Sequence, residues 1–199
     1  LLIIVFKKKY ITKIMKALVK TAPGFGNLEI MDVKDPHVGK NQVKIEVKQT
    51  GVCGSDVHTY EGNYKVKTPV TLGHEFSGEI VEVGEIVEGF QIGDRVTSET
   101  TFSVCGECEY CLSKDYNLCN HRKGLGTQQN GGFTKYLIAR KESVHKLPEN
   151  VDYHSAAMTE PLACTFHAAA KSVINKGDVV VVLGPGPIGL LQAQVAKTF

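Results

Sequence analysis

The sequence has almost no excess of either charge: 23 Lys and Arg stand against 21 Asp and Glu over 199 residues, a formal net charge of +2. A chain without a one-sided field has no overall attraction for nucleic acid or for an anionic membrane surface, so neither is expected as a partner. Nor does any apolar run approach the ~20 residues a membrane-spanning helix needs. The apolar opening Leu1-Leu2-Ile3-Ile4-Val5-Phe6 is short and Lys7-Lys8-Lys9 follows it, whereas a secretory signal puts its positive charge first. Residues 1–14 therefore read as an extension ahead of the first domain, with one extra edge strand as the alternative. Internal repeats and low-complexity tracts are absent, and so is a disulfide framework. Four of the six cysteines crowd between Cys105 and Cys119, while Cys53 and Cys164 stand alone. That clustering favours metal over disulfides, and with it a reducing, cytoplasmic compartment.

What is present is a globular composition, 42% hydrophobic, with two textures. From Met15 to about Val151, short alternating runs such as Val43–Gln49 and Phe76–Val83 are separated by Gly, Pro, Asn and Asp. This predicts a barrel-like or sandwich-like β domain, residues 15–151, interrupted by a cysteine lobe at 103–122. Residues 152–177 are rich in Ala and read as a helical connection interrupted at Pro161. The run Asp178–Leu183 has the continuous β-branched character of a parallel strand buried on both faces. It leads into Gly184-Pro185-Gly186-Pro187-Ile188-Gly189 and a helical Leu190–Lys197. Residues 178–199 are thus expected to form the first strand, glycine turn and helix of a doubly wound α/β domain.

Three motifs carry chemistry. Cys105, Cys108, Cys111 and Cys119 form C-x2-C-x2-C-x7-C, which suits a closed tetrahedral zinc with no exchangeable position. The iron–sulfur alternative begins with the same spacing but continues x3-C-P, where this sequence has seven residues and then Asn120. The second motif gathers Cys53, Ser55, Asp56 and His58, followed by His74-Glu75 and, much later, Glu160-Pro161. A soft thiolate, an imidazole and carboxylates suit a zinc that keeps an open position and acts as a Lewis acid on an alcohol. Ser55 is the expected first acceptor of the alcohol proton and His58 the next. Asp56 is expected to orient His74, and Tyr60 to line the same cleft. The third motif is the glycine turn, where Gly184, Gly186, Pro187, Ile188 and Gly189 are the expected pyrophosphate-binding residues. The acidic residue that would tell NAD from NADP falls at or beyond Phe199.

On Gly51-Val52-Cys53-Gly54-Ser55-Asp56-x-His58, Gly73-His74-Glu75-Phe76-Ser77-Gly78, Gly93-Asp94-Arg95-Val96, the four-cysteine lobe and Gly184-x-Gly186-x-x-Gly189, the chain resembles the zinc-containing medium-chain dehydrogenase/reductase family. The resemblance runs from about Met15 to Phe199. It implies a mainly β GroES-like catalytic domain followed by a Rossmann cofactor domain, two zinc sites, NAD or NADP, and a homo-oligomer. Glu160 stands where ethanol-type members carry a second cysteine ligand, and this is similar to the sorbitol (polyol) dehydrogenase branch, with threonine dehydrogenase nearby. In that branch the zinc carries Cys, His, Glu and water. Cys53, His74 and Glu75 are the favoured ligands. Glu160 is the alternative carboxylate ligand, or the group that holds the water. The resemblance also implies that the Rossmann sheet is completed beyond Phe199, so the 199 residues alone are expected to lack most of the nicotinamide pocket. A zinc-binding chain without turnover is the rival reading.

Overall fold

The structure, a computed structural model, describes residues 13–199. Most of the expected 1–14 extension lies outside the described residues. Ile14 belongs to the first strand.

Ten strands and five α-helices follow in order: β1 (Ile14–Lys20), β2 (Leu28–Lys34), β3 (Gln42–Gly51), α1 (Gly54–Glu61), β4 (Val70–Thr71), β5 (Glu75–Val83), β6 (Arg95–Ser98), β7 (Thr101–Ser103), α2 (Glu109–Leu112), β8 (Lys123–Gly124), β9 (Tyr136–Arg140), β10 (Val144–Lys146), α3 (Tyr153–Ala156), α4 (Thr159–Lys171) and α5 (Pro187–Ala196). The central sheet is antiparallel in the order β10-β6-β5-β3-β9, beside a three-stranded sheet β2-β1-β4. A bridge between Ala17 and Thr134 ties β1 to the segment before β9. This is the β domain the sequence texture predicts.

The core forms because alternate residues of each strand point to one face. Val43 and Ile45 of β3, Phe76 and Ile80 of β5, Val96 of β6 and Leu137 and Ala139 of β9 meet in one buried cluster, closed by Leu125 and Val144. Burying such side chains contributes ~1.5–3 kcal/mol each, the main term holding the sheet together. The pairing of β3 with β5 places Gly51 opposite Glu75, and this register builds the functional site. Strands β7 and β8 pair at the base of the cysteine lobe.

Two expectations are corrected in the C-terminal quarter. The helical stretch is interrupted at Ala157–Met158, between α3 and α4, rather than at Pro161. Pro161 lies in the first turn of α4, where a proline costs no hydrogen bond because the first N–H groups of a helix have no intrahelical acceptor. The expected strand 178–183 forms no ladder, and Val179 and Leu183 are each 92% exposed. A parallel strand exists only through its hydrogen-bonded neighbours, and among the described residues none pairs with it. The glycine turn and helix α5 do follow, and α5 packs on α4. No helix among the described residues is long and apolar enough to cross a membrane.

Candidate metal centres and the cavity between them

Cys53 caps the N-terminus of α1. Its backbone N–H donates to Asp56 Oδ2 at 3.0 Å, and the Asp56 N–H donates back to the Cys53 carbonyl at 3.0 Å. The helix start thus fixes the thiol's position through local hydrogen bonds. Gly62, with φ 83°, ends the helix after two turns. His74 and Glu75 arrive from a different direction, at the start of β5. Thr50 Oγ1 donates to the Glu75 carbonyl at 2.9 Å, anchoring this corner.

The result is a cluster in which ligand atoms of Cys53, His74 and Glu75 lie within 4.8 Å of one another. That spacing accommodates a metal bound at ~2.0–2.3 Å to thiolate, imidazole and carboxylate. His74 Nδ1 is buried without a hydrogen-bond partner, and Asp56 Oδ1 lies 3.8 Å from it. Its other nitrogen, Nε2, faces Ser55 Oγ at 3.5 Å. A metal on Nε2 would make Nδ1 the proton-bearing nitrogen and strengthen its attraction to Asp56. The donor set fits a zinc ion.

Room for the Glu75 carboxylate comes from Gly51. A Cβ built there would lie 2.3 Å from Glu75 Oε2. Gly51→Ala is therefore expected to push the carboxylate out of the cluster and weaken metal binding at this site by at least about tenfold. The four-cysteine site should be unaffected. Competition with a chromogenic chelator measures both.

Glu160 is not part of the three-residue cluster. It lines a cavity of about 130 Å³ together with Ser55, His74 and Arg122. Burial pushes its carboxyl above the usual range and Glu75 adds to that, while His74 and Arg122 pull the other way. Cys164 lies one turn further along α4, its thiol 3.9 Å from Glu160 Oε1 and raised by burial.

His58 stands apart from this cavity. Its side chain is 62% exposed and its Nδ1 meets Glu61 Oε2 at 3.1 Å. Tyr60 does not line the cavity either. It packs on Phe25 at 5.1 Å between ring centroids, so the expected cleft role is corrected: on helix α1 it sits on a different face from Ser55. Tyr64, Thr100, Arg122 and Thr127 do line the cavity, and sequence reasoning missed all four. Arg122, three residues after Cys119, carried the one available signal, a cation beside the lobe.

In the lobe, Cys105 Sγ lies 3.8 Å from Cys111 Sγ and 3.6 Å from Cys119 Sγ, and Cys108 completes the group. A tetrahedron with Zn–S bonds of ~2.3 Å has edges of about 3.8 Å. All six cysteines are free thiols. Backbone N–H groups of Glu107 and Cys108 hold the Cys105 thiol down to about 6, while burial pushes Cys111 up to about 12. The Gly106 N–H also donates to Cys111 Sγ at 3.3 Å, the kind of backbone hydrogen bond that stabilises a metal-bound thiolate.

At the glycine turn, Gly184 has φ 104°, Gly186 caps α5 and Pro187 opens it. A Cβ on Gly189 would lie 1.8 Å from the Gly184 carbonyl. The turn therefore closes tightly only with glycine at both positions, which leaves the helix N-terminus approachable.

The family description "Alcohol dehydrogenase GroES-like domain" matches residues 39–149. The chain belongs to the zinc-containing medium-chain dehydrogenase/reductase family. Within this alcohol dehydrogenase family it is 71% identical over 184 residues to a sorbitol dehydrogenase of Halalkalibacterium halodurans, covering 92% of this chain and 54% of the relative. It is 54% identical over 188 residues to a D-arabitol-phosphate dehydrogenase of Enterococcus avium, covering 94% and 53%. A zinc-binding dehydrogenase of Sinorhizobium meliloti 1021, solved bound to NADP, superposes with a TM-score of 0.88 at 35% identity, covering 94% of this chain and 54% of that one. The chain spans about half the length of these relatives.

Proposed function

We propose that the protein oxidises a secondary alcohol of a polyol with NAD or NADP, using Cys53, His74 and Glu75 to hold one zinc and the four lobe cysteines to hold a second. The observation that carries this reading is the meeting of the three-residue cluster with a cavity that Ser55 and Glu160 share. When bound, zinc supplies a Lewis acid that lowers the pKa of an alcohol, and the nicotinamide supplies the hydride acceptor. Ser55, beside His74 Nε2, takes the alcohol proton. His58, exposed on α1, is the solvent end of that path. Glu160 holds a water or a second substrate hydroxyl in the cavity. Asp56 positions Cys53 and His74. Gly184, Gly186, Pro187, Ile188 and Gly189 form the pyrophosphate cradle at the N-terminus of α5. The four-cysteine site has no open position and ties the lobe to β7 and β8. We assign residues 15–151 to the catalytic domain, 152–177 to a helical connection and 178–199 to the start of the cofactor domain. Its clustered thiols suit the reducing cytoplasm, and like its family the protein would work as a homo-oligomer.

A cavity with buried partners for several hydroxyls rejects a simple alcohol that leaves them unpaired. In a chain of the relatives' length, sorbitol or xylitol should exceed ethanol by at least about tenfold in kcat/KM, roughly 1.4 kcal/mol. Steady-state comparison of ethanol, sorbitol, xylitol and threonine measures it. Equal turnover of ethanol would remove the polyol reading, and a preference for threonine would move the enzyme to the neighbouring branch.

A further inference from the structure

The cavity holds a cation that alcohol oxidation does not use. Arg122 lines it beside Ser55, His74 and Glu160. The guanidinium is held in place: Nε donates to Thr101 Oγ1 at 2.8 Å and Nη2 to Thr100 Oγ1 at 2.6 Å. The Arg122 backbone N–H also donates to the Cys119 carbonyl at 3.0 Å. These bonds use two of the three guanidinium nitrogens. Among the described residues Nη1 has no hydrogen-bond acceptor, and no carboxylate comes within ion-pair distance of the group. Thr100, which also lines the cavity, accepts from Arg122 and so keeps its own hydroxyl proton. Among the described residues that proton has no acceptor.

Glu160, in the same cavity, acts on Arg122 only from beyond ion-pair contact, and a half-buried guanidinium with no anion in contact is costly unless a ligand brings one. Because Arg122 is already braced, little side-chain entropy is lost when an anion arrives. Resting on the reading of this cavity as the site of alcohol oxidation, we propose that Arg122 and Thr100 form a subsite for a terminal phosphate monoester, so that the preferred substrate is a phosphorylated sugar alcohol. A phosphate monoester carries close to two charges and three terminal oxygens, enough to accept from Nη1 and from a hydroxyl together. A carboxylate end carries a single charge and one fewer acceptor oxygen, and a neutral polyol brings no charge to the guanidinium.

The test uses the protein at its relatives' length with sorbitol, sorbitol 6-phosphate and gluconate. The phosphate ester should exceed sorbitol by at least about tenfold in kcat/KM. Arg122→Met should lower the ester's value by at least about tenfold more than that of sorbitol, and Arg122→Lys should restore part of the difference, because charge survives and the fork does not. An ester no better than sorbitol, or an equal fall for both substrates, would make Arg122 a structural brace and overturn the proposal. A preference for gluconate would overturn the phosphate assignment. If neither polyols nor esters turn over, the dehydrogenase reading fails by itself. Calorimetric titration of inorganic phosphate then decides the subsite: binding that disappears in Arg122→Met supports it, and no binding to the parent protein overturns it.

Discussion

Cys53→Ser is expected to lower kcat by at least about 10³-fold, roughly 4 kcal/mol, while the melting temperature stays within a few degrees of the parent. The thiolate is the only sulfur in the three-residue cluster, and a serine hydroxyl stays protonated near neutral pH and is a poor zinc ligand. The fold should tolerate the change. What holds Cys53 at the start of α1 is its backbone, through the Asp56 carboxylate and the return hydrogen bond, and a serine caps a helix well. Steady-state kinetics with a polyol, set beside thermal denaturation, separates the two effects. Full activity in Cys53→Ser would sink the catalytic assignment.

Cys111→Ser should have the opposite signature. Its side chain is buried in the lobe, its sulfur accepts from the Gly106 N–H, and it lies 3.8 Å from Cys105 Sγ. The lobe between β7 and β8 has little apolar surface to bury: Leu112 and Leu118 are exposed. Metal binding must then supply much of its folding free energy, on a scale of ~10 kcal/mol for a closed zinc site. Losing one of four ligands should cost at least about 3 kcal/mol, a fall of roughly 6–12 °C in Tm for a chain of this size. Elemental analysis should find about one zinc per chain where the parent has about two. Iron with acid-labile sulfide in the parent would replace the zinc assignment of the lobe by an iron–sulfur one. Unchanged stability in Cys111→Ser would show that the lobe does not depend on its metal.

Much of this site is readable along the chain because its chemistry is locally spaced. Four thiols within fifteen residues have few ways to avoid one another, and Cys53 with Asp56 is a helix start written in four positions. The alternation of Val43, Ile45 and Val47 states which face of β3 is buried, since side chains alternate on any strand. The glycine turn is legible for the same reason: Gly184 and Gly189 serve a backbone approach only five residues long.

The remainder depends on which distant segments the sheets bring together. The sequence favours Glu75 as the carboxylate beside Cys53 and His74 and keeps Glu160 as the alternative. Glu75 joins Cys53 because the β3–β5 register sets it opposite Gly51, whereas Glu160 comes in on α4 and lines the cavity. Thr100 carries no signal in the sequence and Arg122 only that of a cation beside the lobe; they become a cavity wall when β7 and β8 pair. Tyr60 reads as a cleft residue by its nearness to His58, yet the helix turns it onto Phe25. The run 178–183 has the composition of a buried strand, but composition supplies only the propensity. A strand is made by its neighbours' hydrogen bonds, and these are long-range contacts. The sequence by itself thus determined which groups can do chemistry here, because ligand type and short spacing are local properties. Which of them share one cavity was decided by the tertiary structure alone, because that depends on strand register and helix packing across a hundred residues of chain.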